Sequence, residues 1–85
     1  MKPKIHKNVT LGKNCTIEES CEIGRPPRDA REGELKTVIG DNCLIRSGTT
    51  IYAGCKIGDD FQTGHNVLIR EGNKIGNNVS IGTNS

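Results

Sequence analysis

Apolar residues recur along this chain at every sixth position. From Ile5 the series runs to Leu11, Ile17 and Ile23, and from Ile39 it runs to Ile45, Ile51, Ile57, Thr63, Ile69, Ile75 and Ile81. Thr63 is the one member that is neither Ile nor Leu. A six-residue period is no multiple of the helical repeat, so an amphipathic helix is excluded. It suits a short strand and a turn, repeated, with the branched residue pointing inward. Four residues after each apolar position stands a second small or apolar residue: Val9, Cys15, Cys21, Cys43, Thr49, Cys55, Val67 or Val79. The residue just before it is usually Asn, Gly or Asp, as at Asn8, Asn14, Asn42, Gly48, Gly54, Asp60, Asn66, Gly72, Asn78 and Asn84. These residue types tolerate positive φ, so they mark the turns.

A longer period appears when the hexads are stacked. "IGDNCLIRSGTTIYAGCK" lies over "IGDDFQTGHNVLIREGNK", and "IGNNVSIGTNS" begins a third row. Ile39, Ile57 and Ile75 then form one column, and Lys56 stands over Lys74. Three hexads therefore close one coil, which predicts an all-β triangular prism of roughly four to five coils, spaced by about 4.8 Å. One stretch fits no hexad: "RPPRDAREGELKT", residues 25–37, whose prolines and charges predict a loop extruded from the prism. The period leaves open whether one or two prism faces are replaced there. Loops of this kind often carry function, and the alternative is a solvated excursion.

Composition narrows the function classes. The chain has 85 residues, the size of one small domain, and Phe61 and Tyr52 are its only aromatic residues. Its net charge of +2 is spread among interspersed acids and bases. That is no basic footprint for nucleic acid, and there is no aromatic platform for single strands. The start, "MKPKIHKNVT", lacks an apolar core, and no apolar run is long enough to span a bilayer, so a cytoplasmic, non-membrane protein is expected. All four cysteines occupy the inward small position of a hexad, which predicts buried reduced thiols rather than a disulfide or zinc framework. "VSIGTNS" stops inside a hexad with no capping helix after it. The single domain, residues 1–85, is therefore expected to be the N-terminal part of a longer β-helix.

This pattern resembles the hexapeptide repeat of the left-handed parallel β-helix, over the whole chain outside the 25–37 loop. The left hand is implied by the resemblance, since parallel crossovers are otherwise right-handed. The resemblance further implies an acyltransferase, moving an acetyl or longer acyl group from a CoA or carrier-protein thioester to a hydroxyl or amine. It implies a homotrimer with active sites in the grooves between neighbouring prisms. "TGHNV", Thr63 to Val67, resembles the Thr-Gly-His-Pro-Val segment around the catalytic histidine of galactoside and maltose acetyltransferases, departing from it at Asn66. "LIREGNKIGNNVSIGTNS" is similar to sugar and nucleotide-sugar acetyltransferases. The γ-class carbonic anhydrases share the prism, but they bind zinc through three histidines and this chain has two, far apart.

His65 is the candidate general base. It takes an outward position, between Ser47 and Thr83 by the 18-residue count. A histidine can accept the proton of an acceptor hydroxyl or amine as that group attacks a thioester carbonyl. Gly64 is the nearest candidate for an oxyanion donor, and Glu71 or Asp60 for a partner that orients the ring. Arg46, Tyr52 and Arg70 project outward and could contact phosphates of CoA or a nucleotide-sugar; solubilising surface or trimer salt bridges are the bland alternative. Gly64, Asn66, Arg46, Arg70 and Tyr52 are thus the expected binding residues, acetyl-CoA the expected co-substrate, and a sugar or nucleotide-sugar the expected acceptor, with no metal and no bound cofactor. His6 carries no functional weight at this level. The competing readings are a non-catalytic β-helix scaffold or trimerisation segment, or a truncated enzyme.

Overall fold

A computed structural model describes residues 2–84 of the chain. Met1 and Ser85, the latter part of the "VSIGTNS" segment, lie outside the described residues. Twelve short strands, β1 to β12 in chain order, form three parallel sheets of four strands each. The first face holds β1 (Lys4–Ile5), β4 (Glu22–Arg25), β7 (Thr50–Tyr52) and β10 (Leu68–Ile69). The second holds β2 (Val9–Leu11), β5 (Thr37–Ile39), β8 (Lys56–Ile57) and β11 (Lys74–Ile75). The third holds β3 (Thr16–Ile17), β6 (Leu44–Ile45), β9 (Gln62–Thr63) and β12 (Ser80–Ile81). Successive strands visit the three faces in turn, so three strands make a coil and the described chain makes four coils. We call the corner between the first and second faces the first edge, and the next two corners the second and third edges.

The turn chemistry produces these corners. The Asn and Asp residues of the turns have φ between 56° and 62°, and Gly48, Gly54 and Gly72 lie at 78°, 85° and 76°. Ser20 adopts the same left-handed conformation at 62°, a turn position the residue pattern did not flag. Side chains from one coil also cap amides of the next: Lys13 N–H donates to Asp41 Oδ1, Asp41 N–H to Asp59 Oδ1, and Asp59 N–H to Asn77 Oδ1, each at 2.8 Å. Such capping satisfies turn amides that the sheet ladders leave unpaired.

Pairing follows the 18-residue count, as in Ile57 with Ile75, except across the extruded loop. There Ile23 pairs with Ile51 and Leu11 with Ile39, both 28 residues apart. The ten extra residues all sit at the first edge, between β4 and β5, and no face is replaced. The expected loop boundaries move by one residue at each end. Arg25 closes β4 by pairing with Tyr52, and Thr37 opens β5 by pairing with Val9. A β-bulge at Gly24, with φ of 83°, shifts the register before Arg25; it turns Arg25 toward Tyr52.

The core is a stack of the predicted columns. Ile23, Ile39, Ile45, Ile51, Ile57 and Ile69 are buried, as are Cys21, Cys43, Cys55, Phe61 and Val67. Each buried isoleucine contributes about 1.5–3 kcal/mol relative to an exposed one. Burial fades in the first coil, where Ile5 is 42% and Leu11 37% exposed.

Candidate functional site

The third edge carries His65. The turn Gly64–His65–Asn66 follows β9, and φ of 56° at Asn66 swings the chain into β10. The imidazole Nδ1 lies 2.8 Å from Ser47 Oγ, one coil below. His65 N–H donates to Thr83 Oγ1 at 3.1 Å, one coil above, and His65 O accepts from Asn84 N–H at 2.8 Å. Ser47 is fixed in turn, because its N–H donates to Glu18 Oε1 at 3.0 Å. Arg46 Nη1 stands 3.9 Å from Glu18 Oε2. Glu18, Ser47, His65 and Thr83 thus form a polar column over four coils. Within the described residues nothing meets His65 Nε2, and the side chain is exposed. When Nδ1 bears the hydrogen and donates to Ser47, the outward Nε2 presents a lone pair.

The break at Thr63 belongs to this column. Thr63 is buried in place of an isoleucine, and its hydroxyl accepts the Arg46 N–H at 3.0 Å. Thr49, beside it, donates to Gly64 O at 3.2 Å and accepts from Val67 N–H at 3.4 Å. These hydroxyls tie the backbone under His65 to the coil below it. Phe61, a large residue at an inward position that is otherwise small, belongs to the second edge, where it stacks above the small Cys43.

Two expectations for this edge are corrected. Gly64 N–H donates to Ile81 O at 2.7 Å, so it is not free to hold an oxyanion. What the position demands is absence of a side chain: a Cβ there would lie within 2.5 Å of Thr83 N. Neither Glu71 nor Asp60 orients the ring. Glu71 bonds Arg70 at the first edge, and Asp60 belongs to the second. Asn66 N–H is also engaged, with Ser47 O at 3.1 Å. Burial pushes the thiols of Cys21, Cys43 and Cys55 above their ordinary value, which holds them protonated and argues against a thiolate nucleophile.

The first edge holds a second constellation. Arg70 and Tyr52 stand here, at the far end of the first face from His65, so the chain divides the expected site residues between two edges. Arg46, Gly64 and Asn66 stay with His65. The Arg70 guanidinium lies 4.3 Å from the Tyr52 ring centroid, and Arg25, delivered by the Gly24 bulge, lies 5.6 Å from it. Arg70 Nε donates to Glu71 Oε1 at 3.0 Å; this hydrogen bond raises the one group and lowers the other from their ordinary values.

The extruded loop is docked on this edge by His6. Its Nε2 lies 2.7 Å from Glu22 Oε2, and its Nδ1 2.8 and 3.0 Å from the two oxygens of Glu32. A ring placed in this way bridges the two carboxyl groups through its two nitrogens. The ring is nearly enclosed, its side chain 5% exposed. Lys7 N–H donates to Glu32 Oε2 at 2.9 Å and Asn8 Nδ2 to Gly33 O at 3.1 Å. His6 and Glu32 are 26 residues apart across the aperiodic loop, so no repeat could have paired them.

The family described as "Bacterial transferase hexapeptide (six repeats)" matches residues 36–71, the stretch that contains β5 to β10 and His65. Over this stretch the chain carries that family's hexapeptide repeat. Its prism is accordingly the left-handed parallel β-helix that the repeat implied. A curated relative is the acyl-[acyl-carrier-protein]–UDP-N-acetylglucosamine O-acyltransferase of Chlamydia pneumoniae, 40% identical over 67 residues. The match takes in 76% of this hexapeptide-repeat chain and 24% of that relative, so the chain spans about a quarter of the relative's length. No solved structure matches it significantly.

Proposed function

We propose that this chain carries the base of an acyltransferase that moves an acyl group from a thioester to a hydroxyl or amine of a nucleotide-sugar. The observation that carries the proposal is His65, exposed on a prism edge with Nδ1 engaged by Ser47 and Nε2 open. The acceptor oxygen or nitrogen attacks the thioester carbonyl while Nε2 takes its proton. The tetrahedral intermediate then collapses, the carbon–sulfur bond breaks, and the departing sulfur takes the proton from His65, which gives the free thiol and restores the base. The oxyanion donor comes from outside the Gly64 amide, in keeping with a groove completed by a neighbouring prism in a homotrimer.

The donor is a thioester of CoA or of a carrier protein. Acetyl-CoA follows from the sugar acetyltransferases that the chain resembles, whereas the curated relative's printed name specifies an acylated carrier protein. That same name supports a UDP-sugar acceptor.

Thiol release is measured with acetyl-CoA or an acylated carrier protein, against amino sugars and UDP-sugars, with the chain's own thiols subtracted. Acceptor-dependent release should fall about a hundredfold or more in His65→Ala, at unchanged oligomeric mass. Release that survives the substitution removes His65 from the mechanism. A folded oligomer that releases no thiol with any donor would instead favour the scaffold reading.

A further inference from the structure

The first edge carries an open cavity of about 440 Å³ between the extruded loop and the turn after β10. Arg70 forms one wall, and Arg28, Asp29, Glu34 and Leu35 contribute to the other. The loop wall is anchored rather than loose, through His6, Lys7 and Asn8, with Leu35 seated against Gly54. Arg70 is anchored too. Tyr52 holds the plane of its guanidinium and Glu71 holds Nε. Both of its terminal nitrogens are left without a partner among the described residues, and so is Arg28. An oriented guanidinium with its fork open suits bidentate recognition of phosphate oxygens.

The acids in the wall refine the ligand. Glu71 is committed to Arg70, and Glu34 Oε1 accepts the Arg31 N–H at 3.0 Å. Asp29 shows no partner among the described residues and suits a sugar hydroxyl better than a bare inorganic anion. We propose that this cavity binds the diphosphate of a nucleotide or coenzyme, with Arg70 and Arg28 on the phosphates and Asp29 on an adjoining hydroxyl. Both candidate carriers, a nucleoside diphosphate-sugar and coenzyme A, contain that group. The identity of the carrier rests on the acyltransferase reading; the binding does not.

Arg70 lies five residue steps along one coil from His65, at most about 17 Å of extended chain. The outward residues of the first face beside this span include Thr50 and Leu68. An acceptor anchored in the cavity can therefore lie along the first face with its far end toward His65.

Binding is measured by calorimetry on the full chain, without turnover, so a failed transfer assay and a failed binding assay are separable. UDP, coenzyme A and phosphate-free uridine are the probes. Saturable binding of UDP or coenzyme A, but not uridine, is expected, and the tighter of the two identifies the carrier. Arg70→Gln and Arg28→Gln should each weaken it roughly ten- to a hundredfold. Lys13→Gln, the same charge change at the second edge, should leave it intact, as should His65→Ala. Both arginines are exposed, so their variants should melt with the unaltered chain. Uridine binding as well as UDP, no saturable binding by either diphosphate, or equal losses in Lys13→Gln and Arg70→Gln would each overturn the proposal.

Discussion

At position 65 the imidazole has one nitrogen engaged and one open, and the engaged one meets a hydroxyl rather than a carboxylate. A serine partner can donate or accept, so it fixes the ring's orientation without fixing its tautomer. Ser47 is therefore a positioning residue for the proposed reaction. In Ser47→Ala, kcat should fall by up to about a hundredfold with KM little changed, through misorientation of the ring. The pH–rate profile should change with it, and Ser47→Thr should restore most of the rate. A Ser47→Ala enzyme with unaltered kcat and pH profile would remove Ser47 from the mechanism. The 18-residue count alone places Ser47 beneath His65, because both sit in the regular repeat. Loss of the Gly64 amide to Ile81 was not legible in the same way. The sequence marks a glycine at a turn, but only the coil above shows that its N–H is already in use.

The extruded loop behaves as an element with its own fastening. Glu32 is the fastener. Its carboxyl is held below the ordinary glutamate value, first by the Lys7 N–H, then by the His6 ring and by the nearby charge of Lys4, with Glu22 on the far side of the ring. Because its folded-state value is the lower one, the carboxylate contributes stability above the unfolded value, and that contribution is lost as pH falls through the folded one. An NMR titration should show the Lys7 amide proton shifting with a midpoint below the ordinary glutamate value, and Glu32→Gln should abolish that step. A midpoint at or above the ordinary value, or a step that persists in Glu32→Gln, would exclude Glu32 as the fastener. This docking was beyond the sequence for a physical reason. The prism's strands are addressed by period, whereas the loop finds its partners through closure in space, by charge and hydrogen bonding. His6, Glu32 and the Arg25–Tyr52–Arg70 stack all depend on that closure or on the Gly24 bulge, and none of them lies on the hexad grid.

Over the whole molecule, stability should follow position in the stack. Each coil contacts only its neighbours, so the inner coils are supported from both sides and the outer ones from one. The inward residues of β5 to β8 are buried, while Ile5 and Leu11 are 42% and 37% exposed. Native-state amide exchange should therefore be slowest in β5 to β8 and fastest in β1 to β3. Uniform protection across the coils would show that the stack opens only as one unit. The same stacking has a consequence for how such a protein can change. The extruded loop inserts ten residues at a corner, after which the 18-residue count resumes and every later side chain keeps its face. Lengthening such a corner costs only about 0.6 kcal/mol for each doubling of the loop. A chain built this way can replace the walls of one cavity while the histidine on the opposite edge stays where it was. Ligand choice at the first edge and proton transfer at the third are thus free to vary separately, as exchangeable parts on a common ruler.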